Sequence, residues 1–249
     1  WSYLVSTAEV RVREMKDEQL SGWGDLAELA DNQKRERWYF RGVTQRDHAL
    51  IPVVGRASAR APRFEYDEIQ EKRLLNEFKR QARPLVTPQP DTDLEWLALA
   101  QHHGLKTRLL DWTESLFVAA MFATERGITV RRYNTGEEID IPPAIYGIRN
   151  LPEAENGQDP FGLEEVKVYR PAHISPRIAP QQAVFTVHPK PKVQFDSDDL
   201  VRWTLEIKGT LDMKLALDAV GISRASLFPG IDGLAEALNW RHKWDVLRG

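Results

Sequence analysis

Three observations predict an α+β protein in which N-terminal helices pack on a mainly antiparallel sheet. Apolar residues recur at helical spacing through much of the first half of the 249-residue chain. After Gly127 the pattern changes to short β-favouring runs separated by Pro, Gly and Asn. The composition, 42% hydrophobic and 29% charged, is that of an ordinary globular chain, so both kinds of element can share a core. We therefore expect a single domain over 1–249, helix-rich in 1–127 and strand-rich in 128–249.

In chain order, Leu20, Trp23, Leu26, Ala27 and Ala30 place a helix within Asp17–Ala30. Trp38-Tyr39-Phe40 is a β-favouring run that should stop at Arg41-Gly42, leaving Arg41 at a strand end where functional side chains project. Ile69, Leu74, Leu75, Phe78 and Ala82 define an amphipathic helix ended by Pro84. Leu94, Leu97, Ala98 and Gln101 define another, stopped at Gly104, since glycine readily takes the left-handed conformation past a helix end. Leu105–Leu110 then reads as a tight link. Asp111-Trp112-Thr113-Glu114 reads as the N-cap of a helix whose buried face is Trp112, Leu116, Ala119, Ala120 and Ala123. Ala144–Ile148, Val166–Tyr169, Ala183–Val187 and Leu200–Ile207 are the expected strands. Leu211–Val220, capped by Gly221, and Gly233–Trp240 are the closing helices.

Composition narrows the chemistry. With no cysteine, disulfides, thiolate nucleophiles and cysteine zinc sites are excluded, which suits a reducing compartment. No apolar run approaches the roughly 20 residues of a membrane helix, and Trp1-Ser2-Tyr3-Leu4-Val5 lacks a secretory peptide's long apolar centre. We expect a cytoplasmic protein without a membrane partner. A net charge of −3 gives no basic field for non-specific nucleic-acid binding; Arg56, Arg60 and Arg63 are a local patch or scattered solvated charges.

Trp38-Tyr39-Phe40-Arg41-Gly42, the block from Gln101 to Thr113 (Gln-His-His-Gly-Leu-Lys-Thr-Arg-Leu-Leu-Asp-Trp-Thr) and the following Phe117–Ala123 resemble the FRG domain family. The resemblance extends more weakly to Arg177–Phe185 and Leu227-Phe228-Pro229. A more distant similarity is to ADP-ribosyltransferases, which place Arg-Gly on a first strand, a Ser/Thr motif before a helix, and Glu or Gln on a later strand. It implies an ADP-ribosyltransferase-like fold that binds NAD as substrate. Arg41 would hold a phosphate or ribose oxygen, Thr107 and Thr113 would border the nicotinamide, and Gln182 would hydrogen-bond the ribose. A glutamine there cannot ionise, so it cannot act as a general base. The resemblance further implies a toxin or phage-defence effector, with an antitoxin or inhibitor as partner, and leaves a protein or a nucleic acid as acceptor.

Each candidate has a bland reading beside the functional one. Arg41 is a guanidinium fork for an anion or half of an internal salt bridge, and Gly42 lets a ligand or a backbone approach closely. His103, beside Gly104, is a proton carrier or a helix cap. Thr107 and Arg108 serve a ligand, or Thr107 satisfies loop backbone while Arg108 pairs with Asp111. The rival enzyme class is a metal-dependent nuclease, suggested by Glu206-Ile207-Lys208, yet the alternation of Val201, Trp203, Leu205 and Ile207 with Arg202, Thr204, Glu206 and Lys208 reads as a half-buried strand with a solvated face. The six histidines have no zinc-hydrolase spacing, and we expect no metal site. A non-catalytic nucleotide-sensing module is the third class.

Overall fold

The computed structural model describes residues 15–56, 66–125, 129–131, 138–171 and 178–246. Trp1-Ser2-Tyr3-Leu4-Val5, Arg60, Arg63, His173 and Arg177 lie outside the described residues.

The first half supplies β1 (Lys16–Leu20), α1 (Trp23–Gln33), β2 (Tyr39–Val43), α2 (Glu68–Ala82), α3 (Asp93–His102), β3 (Leu109–Thr113) and α4 (Leu116–Ala123). A small hairpin, β4 (Thr129–Arg131) and β5 (Glu138–Asp140), precedes β6 (Ala144–Ile148), β7 (Lys167–Tyr169), α5 (Ile178–Gln181) and β8 (Ala183–Val187). The chain closes with β9 (Val201–Leu205), α6 (Thr210–Ala219), α7 (Arg224–Leu227) and α8 (Ile231–Lys243). Seven strands form one sheet in the order β1-β9-β6-β2-β3-β8-β7, antiparallel except for the parallel pair β1–β9. The fold is α+β, with eight helices among the described residues. Strands from the two halves of the chain interleave, so the division into helix-rich and strand-rich halves is blurred: β1, β2 and β3 come before residue 127 and four helices after it.

Alternation along the strands sorts side chains to two faces. Phe40, Ile145, Trp203 and Leu205 meet α1, α4 and α6 on one face. On the same face, at the β3-β8-β7 side, Leu109, Phe185 and Val187 meet α2 and α3. Tyr39, Tyr146, Trp112 and Val184 face the other way, against Leu50, Phe195 and Leu200 from connecting segments. α3 is held by a capping box, Thr92 with Glu95, and Gly104 beyond its end has φ +88°, as expected.

Three expected elements are corrected. Lys16–Leu20 is a strand, so the first helix starts only at Trp23; pairing with β9, remote in sequence, overrides the local helical spacing. β2 runs on to Val43, so Arg41 lies inside the strand and not at its end. Leu109–Thr113 is a central strand and not a link plus cap. The cap of α4 is Ser115, whose Oγ accepts from the Val118 N–H at 3.3 Å. No described helix is long and apolar enough to cross a membrane.

Candidate functional site

β2 and β3 are neighbours, yet they pair at a single rung, Phe40 with Thr113. That register would set Gly42 opposite Asp111, but no such pair forms and the strands part into a wedge. β2 stays laddered to β6, and β3 to β8, so the gap separates two intact half-sheets, β1-β9-β6-β2 and β3-β8-β7. Over the wedge, walled by residues of α3 and α4, is a cavity of about 560 Å³, a size ordinary for small-molecule sites.

Arg41 alternates with Phe40 and Gly42 along β2, and its side chain lines the cavity. Its Nη1 donates to the Asp111 carbonyl at 2.6 Å and lies 3.7 Å from Asp111 Oδ2. Burial pushes the Arg41 pKa below the ordinary arginine value while Asp111 pulls it back up, and the group stays charged at physiological pH. Both contacts are made by the same nitrogen of the fork, on the side of β3.

Asp111 is held from below. Gln101 Nε2 donates to Asp111 Oδ1 at 2.7 Å, Gln101 Oε1 accepts from the Thr107 hydroxyl, and Thr107 Oγ1 accepts from the Leu109 N–H at 3.1 Å. A hydroxyl has one proton, so this chain turns the Gln101 amide one way, with its NH₂ toward Asp111. Asp111 therefore accepts from Gln101 on one oxygen and faces Arg41 with the other. Its side chain is 60% exposed, which leaves lone pairs for a ligand hydroxyl.

The sequence candidates separate cleanly. Thr113 lines the cavity; its hydroxyl donates to the Gln181 carbonyl at 2.7 Å and accepts from the Ser115 N–H at 3.0 Å. Gly42 also lines it, but a Cβ there would stand 1.9 Å from the Ala119 carbonyl, so the close approach serves α4. Thr107 is fully buried beneath Gln101. Arg108 is not brought to the cavity. It is fully buried, its Nη2 donating to Glu71 Oε2 at 2.9 Å and to the Tyr66 hydroxyl at 2.8 Å, its Nη1 to the Pro160 carbonyl at 3.1 Å, and its plane 4.0 Å above Phe161. Nor does it pair with Asp111.

His103 caps α3 and is exposed; its neighbour His102, 4.9 Å away ring to ring, lines the cavity instead. Gln182 is exposed with φ +45°, its carbonyl accepting from the Glu114 N–H, while Gln181 lines the cavity and donates to the Leu227 carbonyl at 2.9 Å. Both shifts by one residue come from turns whose direction the sequence pattern does not specify. β9 ends at Leu205, and Glu206 and Lys208 are exposed in the turn that follows. Among the described residues no three His, Asp or Glu side chains are grouped to hold a metal ion.

Sequence reasoning missed the two ends of the cavity. His48 and Arg56 come from the segment that leaves β2 at the open end of the wedge. At the closed end stand Phe122 and Phe228, edge to face at 6.1 Å, with Glu125. The bonds from Thr113 to Gln181 and from Gln181 to Leu227 hang Phe228 there. Glu125, just past α4, carried no signal; Phe122 and Phe228 were marked only by the Phe117–Ala123 block and the Leu227-Phe228-Pro229 motif.

The Phe-Arg-Gly strand and the Gln101–Thr113 block, 60 residues apart in the chain, thus form the two sides of one wedge. Residues 36–131 match the family model of the FRG domain. The matched segment carries β2, α3, β3 and α4, and with them Arg41, Gln101, Asp111, Phe122 and Glu125. Five wall residues, Ile178, Gln181, Ala183, Phe185 and Phe228, lie beyond it. Comparisons with curated proteins and with solved structures returned no match.

Proposed function

We propose that the cavity binds NAD as the substrate of an ADP-ribosyl transfer, within an ADP-ribosyltransferase-like fold. The observation that carries this reading is the unpaired stretch of β2 and β3, where an arginine fork and a carboxylate stand side by side at the cavity floor. Arg41, with Arg56 and His48 toward the open end, suits a pyrophosphate. The lone pairs of Asp111 suit a ribose hydroxyl, the role the distant resemblance implied for Gln182. Thr113, Phe122 and Phe228 border the flat nicotinamide ring. When the bond from ribose C1′ to the nicotinamide nitrogen breaks, its electron pair stays on the ring and positive charge develops on the ribose. A preorganised carboxylate offsets that charge. The acceptor's oxygen or nitrogen then bonds to C1′ and gives up its proton.

The test is to incubate the purified protein with NAD labelled in the adenylate and with cell extract. Nicotinamide should be released and label should reach protein or nucleic acid, which names the acceptor class and bears on a toxin or phage-defence role. Asp111→Asn should abolish transfer with folding intact. NAD binding without nicotinamide release would make the chain a sensing module. Magnesium-dependent phosphodiester cleavage that vanishes in a Glu206→Ala, Lys208→Ala double variant would make it a nuclease.

A further inference from the structure

α8 buries only one of its sides. Gly233 and Ala237 are buried there, and a Cβ on Gly233 would stand 2.0 Å from the Phe228 carbonyl. Ion pairs clip both flanks of the helix, Glu236 to Arg224 and Arg241 to Asp218, and fix its rotation. The outer side nevertheless carries Ile231, Leu234 and Leu238, exposed by 85%, 48% and 43%. They recur at i, i+3 and i+7, and with the exposed Ala235 and His242 they form one stripe along the helix. Single exposed apolar residues are ordinary, whereas an aligned row of them marks a docking face.

We infer that this stripe pairs with the same stripe of a second copy of the chain, the two helices running antiparallel about a two-fold axis. Charge placement selects both the partner and the direction. Asp232, in the first turn, and Lys243, in the last, are spaced by about three turns of 3.6 residues and so share one flank of the stripe. A two-fold axis across the middle of the stripe sets Asp232 of each copy beside Lys243 of the other and opposes the two helix dipoles. A parallel pair would turn that flank toward the opposite flank of the other copy, away from Lys243. At 13 residues the helix is about 20 Å long, short for an interface. The dimer is therefore weak, half-formed on the order of 10–100 μM. The pairing is independent of what the cavity binds. It also braces the cavity's closed end, because α8 packs behind Phe228.

Sedimentation equilibrium of the purified chain over about 5–500 μM, a range that spans the expected affinity, tests it. The wild type should move from the mass of one chain, 28.6 kDa, toward twice that mass as concentration rises. Leu234→Glu with Leu238→Glu should stay a single chain throughout, with an unchanged circular dichroism spectrum, since both side chains reach solvent. Asp232→Lys should weaken the pairing about tenfold, as two attractive pairs become two repulsive ones. Adding Lys243→Asp to it exchanges the charges and should recover the wild-type affinity to within about threefold. A wild type that stays a single chain at the highest concentration would overturn the proposal. So would a dimer that survives in the double leucine variant, because another surface would then hold it. A charge exchange that fails to recover the pairing would overturn the antiparallel arrangement.

Discussion

Arg41 and Arg108 are both largely buried arginines beside β3, and they have opposite fates. Arg108, just before the strand begins, is enclosed by Glu71, Tyr66, the Pro160 carbonyl and Phe161. Arg41, where β2 leaves β3, uses one nitrogen for the Asp111 carbonyl and carboxylate and otherwise faces a cavity. From sequence each was either a ligand-binding residue or half of an internal ion pair. What separates them is the number of donors already occupied: a guanidinium surrounded by acceptors holds the fold together, and one with donors to spare can hold a ligand.

The sharpest way to break this contrast is to truncate both. Arg108→Ala should cost about 3–5 kcal/mol, because Glu71 is left buried without its partner. Chemical denaturation measures it, and a loss below about 1 kcal/mol would make Arg108 a bystander. A second, smaller effect involves His188, whose backbone N–H donates to the Arg108 carbonyl. Burial, then Arg41 and then Arg108, lower its pKa from 6.5 to about 4. The imidazole is neutral in both states above pH 6.5. Between about 6.5 and 4 the unfolded chain takes up a proton that the folded one refuses, so stability falls as pH falls through that window. The loss is on the order of 3 kcal/mol. Comparison of the wild type with His188→Gln isolates it, the variant showing a flatter slope over that range.

Next comes the helix start. Ser115→Ala should cost about 1 kcal/mol as α4 loses its cap, whereas Asp111→Ala should cost less, since Asp111 caps nothing. Thermal melts rank the two, and the reverse order would return Asp111 to the capping role. The smallest effect on stability belongs to Arg41→Lys, which should leave the melting temperature nearly unchanged yet weaken NAD about tenfold, because an ammonium cannot form the fork. Equal affinity by calorimetry would show that one point charge suffices there.

The sequence patterns locate β6, β8, α2 and α3 well, because each is an apolar or amphipathic run flanked by Pro, Gly or polar residues. They fail at β1 and β3 for a shared reason. Both strands owe their state to partners far away in the chain, β9 and β8, and Leu-Leu-Asp-Trp-Thr resembles a helix entry when β8 is not in view. The functional side of the wedge was legible in outline, as Arg41 and the Gln101–Thr113 block. Which of its members face the cavity was not, because burial of Arg108 depends on Glu71 and Phe161, and the aromatic end depends on Phe228, more than 100 residues from Phe122.

The single Phe40–Thr113 rung also bears on how the molecule can move. A four-stranded and a three-stranded ribbon meet there like two leaves on one pin. Swinging the leaves apart sacrifices no further cross-strand pairing, since none exists past that pin. Entry of a bulky guest therefore needs no part of either ribbon to unzip, only release of the Arg41–Asp111 contact that spans the gap.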